Sequence, residues 1–233
     1  MENAEERITK ALAQTRVVRP PKQYLATFGV TNLKYFLVTE PIFAEFDTKQ
    51  GPESVIREGK VIAKRPEVVT PGYLLNLHGF GEDARRYFEM VARQFGTQAP
   101  GLMYSYRNEA GSMNIVSGEP ETVAEKIKGD LDGRSEHLAV VIRGPDELWD
   151  VALLKFIYEF TASSVASNVG DLNGRGLLDP DSTGVPKAAI QRIEAMFQEV
   201  QGGLDPSLLK RELDRWGLFR HYEDRFLGLF KRR

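Results

Sequence analysis

The chain has 233 residues, 42% of them hydrophobic and 27% charged, a net charge of −2 and no cysteine. This composition excludes wholesale disorder and fits one large folded domain or a domain with an appendage. The near-neutral charge argues against a general nucleic-acid coat while leaving a local basic patch open, and the missing cysteine removes disulfides, thiolate nucleophiles and cysteine-held metals together.

The opening stretch, MENAEERITKALAQ, starts on acids and lacks an apolar run, so no signal peptide is expected and the expected location is cytoplasmic. Residues 3–15 read as a short helix with Ile8, Ala11, Leu12 and Thr15 on one stripe. Pro20-Pro21 ends it, and Arg16, Arg19 and Lys22 form a basic connector around the break. Two runs rich in aromatic and β-branched residues follow, 24–28 and 33–39, both read as strands.

After a polar loop at 47–54, the runs 54–57 and 60–64 flank Glu58-Gly59, which reads as a hairpin turn. Pro66 and Pro71 bound an extended piece, and 82–95 is an amphipathic helix stopped by Gly96. A second hairpin is expected where 102–107 and 113–116 flank NEAGS. A helix at 120–128, with Pro120 at its first position, and a β-branched strand at 137–142 come next.

Residues 148–166, LWDVALLKFIYEFTASSVA, are apolar nearly all the way round. An amphipathic surface helix keeps one polar face, so this segment reads as a buried hub, with Leu153, Leu154, Phe156, Ile157, Phe160 and Val165 in the core. Its Asp150, Lys155 and Glu159 argue against a membrane span. A loop at 167–185 leads to three helices, 187–200, 206–216 and 219–230. The expected fold is α+β: an antiparallel or mixed sheet with hairpins, packed on a central buried helix, then a helical C-terminal region. One unit over 1–233 is expected, strand-rich at 20–143 and helix-rich at 144–233.

Chemistry is harder to find. Gly79, Gly81 and Ala84 match a dinucleotide-binding glycine pattern beside His78, between a strand-like run and a helix. Glu82 and Asp83 would set two carboxylates against a pyrophosphate, whereas at a helix start they simply complement the dipole. The loop DLNGRGLLDPDSTGVP imitates half a calcium site with Asp179, Asp181 and Thr183, but Ile190 stands where the bidentate glutamate belongs. Asp146, Glu147 and Asp150 are acids at a helix N-terminus, Asp150 being the one flanked by apolar residues. The histidines 78, 137 and 221 show no ligand spacing.

In the C-terminal stretch basic residues outnumber acidic ones, ending Lys231-Arg232-Arg233, and Phe219, Tyr222, Phe226, Leu229 and Phe230 make an aromatic stripe. The reading that follows is a soluble protein with no cofactor and no metal, working by contact with another protein or a second copy of itself, and with RNA ranking lower. Its interaction residues are Arg16, Arg19, Lys22, Phe226, Phe230, Lys231, Arg232 and Arg233. The alternative is a small-molecule or nucleotide-binding enzyme or sensor using His78, Gly79, Gly81 and Asp150.

Overall fold

The computed structural model describes residues 4–41, 51–75, 89–90, 93–94, 96–97 and 99–230. In chain order the elements are α1 (Ala4–Gln14), β1 (Arg16–Arg19), β2 (Thr31–Thr39), β3 (Glu53–Ala63), β4 (Glu67–Val69), α2 (Pro71–Leu75), β5 (Gly101–Met103), β6 (Tyr106–Ser117), α3 (Pro120–Gly133), β7 (Ala139–Arg143), α4 (Trp149–Gly174), α5 (Lys187–Gln201), α6 (Pro206–Arg215) and α7 (Phe219–Gly228). The fold is α+β. Internal contacts gather the chain into two compact units, Met1–Arg65 with Tyr104–Asn168, and Pro66–Met103 with Val169–Arg233.

The first unit holds a five-stranded mixed sheet in the order β1-β7-β2-β3-β6. β2 and β7 are parallel, and the other neighbours are antiparallel. On one face Leu33, Tyr35, Leu37, Val61, Val140 and Ile142 pack against Ala152, Leu153, Phe156 and Phe160 of α4. On the other, Val38, Ala139 and Val141 pack against Val123, Ala124 and Leu131 of α3. The alternation of β2, with successive side chains going to opposite faces, is what lets both helices be covered by one strand.

Neither expected hairpin forms. Residues 53–63 are one continuous strand, with Gly59 in its middle and paired to Tyr35. A Cβ on Gly59 would overlap the buried Tyr35 ring, so this glycine provides room rather than a turn. NEAGS likewise lies inside β6, where the register with β3 shifts between Arg57 and Gly59, a bulge instead of a reversal. The strand expected at 24–28 is absent as well, because α4 side chains take the backbone of Leu25: Ser164 Oγ accepts from its N–H (3.2 Å) and Asn168 Nδ2 donates to its carbonyl (2.8 Å). The edge strand is formed earlier, by Arg16–Arg19 on β7.

α4 is longer than expected, and it is not wrapped. Buried residues recur every fourth position, at 152, 156, 160, 164, 168 and 172, with Leu153 flanking the first of them, so the buried surface runs along one side. Leu153, Phe156 and Phe160 are buried as expected, but Leu154 (63% exposed) and Val165 (38%) face outward, with Tyr158 at 76% beside them. The sheet covers only one side of the helix, so an apolar outer face is left in water.

In the second unit β4 and β5 form a two-stranded antiparallel pair. Val68 and Leu102 of that pair cluster with Leu172, Leu177 and Leu178. α5, α6 and α7 build a separate core of Ala189, Ile193, Met196, Phe197, Leu209, Leu213 and Phe226. α6 starts on Asp205, whose carboxylate accepts from Ser207 N–H (2.9 Å), with Pro206 in the first turn. Among the described residues no helix is long and apolar enough to cross a membrane.

Candidate functional site

The polar ground of the first unit lies where the parallel strands β2 and β7 end, at the turn into α4. Gly144 N–H donates to Val38 O (3.3 Å). A Cβ there would come within 2.9 Å of the Ala152 methyl, so only glycine lets the helix approach the strand end this closely. Thr39 Oγ1 donates to Asp146 Oδ1 (2.6 Å), and the Arg57 guanidinium donates to the same carboxylate oxygen and to Thr39 Oγ1 (3.1 Å). Arg57 also lies over Trp149, 5.8 Å from the ring centroid. A shallow cavity of about 320 Å³ opens beside them, lined by Gln14, Glu40, Arg143, Gly144, Pro145 and Asp146. Arg143 donates to Glu121 (2.8 Å), which also receives Arg16. The hydrogen bond from Arg16, with support from Arg143, holds the Glu121 carboxyl below its ordinary range. These mutual pairings lock the β7–α4 turn.

The basic connector is absorbed in the same way. Arg19 is 3% exposed: its guanidinium donates to Asp132 (3.0 Å) and to the carbonyls of Ala139 and Glu136 (2.6 Å each). Lys22 pairs with the same carboxylate at 2.8 Å. Hydrogen bonds from Lys22 and then Arg19 hold the Asp132 carboxyl below its usual value. Arg16, Arg19 and Lys22 thus staple α3 and β7 to β1.

Asp150 is exposed, and its carboxylate accepts from Val151 N–H (2.9 Å) at the start of α4. His78, Gly79 and Gly81 lie outside the described residues, as do Lys231, Arg232 and Arg233 and most of the helix read at 82–95. In the calcium-like loop Asp181 Oδ1 accepts from Thr183 Oγ1 (2.6 Å), Thr183 N–H (2.8 Å) and Val185 N–H (3.3 Å). The Thr183 hydroxyl contributes most to holding its carboxyl low, so this oxygen closes the turn on itself. Among the described residues no cluster of three or more His, Asp or Glu side chains is arranged to hold a metal.

Of the aromatic stripe, Phe226 is buried in the helical core and stacks edge-on between Phe219 and Phe230. Phe230 is half-exposed and borders a hollow of about 820 Å³ with Phe197, Val200, Leu204 and Leu229. Arg225 lies at its rim, 4.0 Å over the Phe197 ring and paired to Glu194 at 2.7 Å.

What the sequence reading missed is the outer side of the first unit. Leu154, Tyr158 and Val165 follow i, i+4, i+11 spacing along the uncovered face of α4. Met113 and Ile115 of β6 are more than half exposed, and the Tyr106 hydroxyl bonds Thr161 on α4. The missing polar face of residues 148–166 was the available signal, and it marks exposure as well as burial. Comparison with family models, with curated proteins and with solved structures gives no match for this chain.

Proposed function

We propose that the protein acts by contact rather than by chemistry, with another protein as its partner. The observation that carries this reading is the outer face of α4, where Leu154 and Tyr158 are 63% and 76% exposed. Large apolar side chains gathered on one stripe are uncommon on a surface that meets only water, and tyrosine is favoured at interface centres. The hollow beside Phe230, lined by apolar side chains together with Gln201, Asp205 and Arg225, is a second candidate contact surface, in the second unit. RNA ranks lower, since Arg16, Arg19 and Lys22 are each spent on carboxylates.

The test compares the wild-type chain with the pair Leu154→Arg, Tyr158→Glu as baits in extract of the source cells, followed by reassembly from purified components. A stoichiometric partner that rebinds wild type and is lost with the pair is the expected result. Equal retention of that partner by both chains would remove α4 from the interface. A saturable rise in melting temperature with NAD, NADP, FAD or ATP would favour the small-molecule reading instead.

A further inference from the structure

The two edges of the five-stranded sheet are unequal. β1 is four residues long, bulged between Val17 and Arg19, and carries two arginines, all devices that blunt an edge. β6 is twelve residues long and is the last strand of the sheet among the described residues. Its bulge opposite Glu58 leaves a regular arm over residues 106–110.

The direction of that arm's backbone is fixed by its pairing. Lys64 N–H donates to Ser105 O (3.0 Å), in the register that sets Ala63 against Tyr106 and Val61 against Asn108. In an antiparallel ladder hydrogen-bonded and non-hydrogen-bonded pairs alternate. Residues 105, 107 and 109 therefore spend their backbone groups on β3, and Tyr106, Asn108 and Ala110 turn theirs outward.

The arm is complementary to itself. Set antiparallel against a second copy with Asn108 opposite Asn108, it places Tyr106 against Ala110 and Arg107 against Glu109, each twice by symmetry. The outward backbone groups of 106, 108 and 110 then meet each other in register. On one face a small residue leaves room beside each tyrosine; on the other, two arginines and two glutamates alternate. Arg107 and Glu109 already pair within one chain at 2.5 Å, so a second copy extends that pair into a four-charge row.

We propose that this arm is the interface between two copies of the chain, joined across a twofold axis at Asn108 into a continuous ten-stranded sheet. The proposal is independent of the α4 reading, since it uses the strand edge and not the outer face of that helix.

The test is the mass of the full chain by light scattering over a concentration series, for wild type, Arg107→Glu, Glu109→Arg and the double exchange. Wild type is expected to dimerise. Each single change sets like charges opposite each other twice and should weaken the dimer about tenfold or more, and the double exchange, with the pairs reversed, should restore it. Unfolding curves check that all four chains are folded. Because the chain has no cysteine, Asn108→Cys provides a second reading, and oxidation should link two chains through that residue alone. A monomer at every concentration overturns the proposal. So does a dimer indifferent to the single changes, a double exchange that fails to recover, or Asn108→Cys that stays unlinked.

Discussion

Asn168 shows how much one buried amide decides. Its Nδ2 donates to Leu25 O and Thr27 Oγ1, both at 2.8 Å, while its Oδ1 accepts from Tyr104 O–H at 2.7 Å. Burial, and then the neighbouring Tyr106, push the Tyr104 hydroxyl up to about 12, so it stays a donor throughout the neutral range. Asn168→Ala should cost about 1–3 kcal/mol in urea unfolding, because it strands buried polar partners. Asp132 makes a pH-dependent counterpart. Its carboxyl sits below the ordinary value when folded, so the stability it contributes is present above the unfolded value, near pH 4, and is lost as pH falls through the folded one. The stability gap between wild type and Asp132→Asn should therefore be open at pH 7 and narrow steadily below about pH 4, as read from urea midpoints. A gap of the same size at pH 3 would mean that the ion pairs to Arg19 and Lys22 are not its source. Gly59 is the backbone equivalent: Gly59→Val should unfold more easily than wild type, since the added carbons meet the Tyr35 ring.

At the scale of elements, α4 separates burial from hydrophobicity. Phe156 and Phe160 stack at 5.5 Å between ring centroids inside the sheet–helix core. Truncating either to alanine should cost about 3–5 kcal/mol, the range for large aromatic deletions in cores. Leu154→Ala and Tyr158→Ala, on the same helix, should each change stability by about 0.5 kcal/mol or less. Chemical denaturation of the four variants tests both halves, and equal losses at all four would mean the outer face is covered. In α7 and the turn just past its end the same logic gives a core role to Phe226 and a surface role to Phe230. Phe226→Ala should loosen the helical core, whereas Phe230→Ala should leave its stability nearly intact.

Over the whole molecule, charge is spent locally. The surface mixes both signs, and many of the basic side chains are paired to nearby acids, as at Lys34 with Glu136, Lys60 with Glu109 and Lys210 with Asp214. Nucleic-acid affinity follows the number of phosphates neutralised and falls steeply with salt. For the described basic connector, Arg16→Ala with Lys22→Ala should leave any RNA binding, and its salt dependence, unchanged in fluorescence anisotropy. A salt slope that drops by about one per residue removed would restore the connector as an RNA contact. The two units also interleave along the chain, which crosses between them after Arg65, Met103 and Asn168, so no stretch of linker composition marks the division.

The sequence by itself determined the elements whose side-chain period and end signals agree: β2, the β-branched β7, and α5 to α7 with their Pro, Asp and Gly punctuation. It also determined the α+β class, whereas of the six α4 residues read as core only Leu153, Phe156 and Phe160 are buried. Tertiary structure alone decided the rest. Gly59 and Gly111 read as turns because glycine permits a turn, yet here the absent side chain admits Tyr35 and the carbonyl of Glu58. Arg16, Arg19 and Lys22 read as a basic patch because the acids that neutralise them, Glu121 and Asp132, lie more than a hundred positions away. The apolar surround of residues 148–166 could not say that Leu154 and Tyr158 are the ones left exposed, and the outward backbone of β6 has no sequence signal. Hydrophobic pattern reports what a residue would prefer, and only the packed neighbours decide which side of an element is left uncovered.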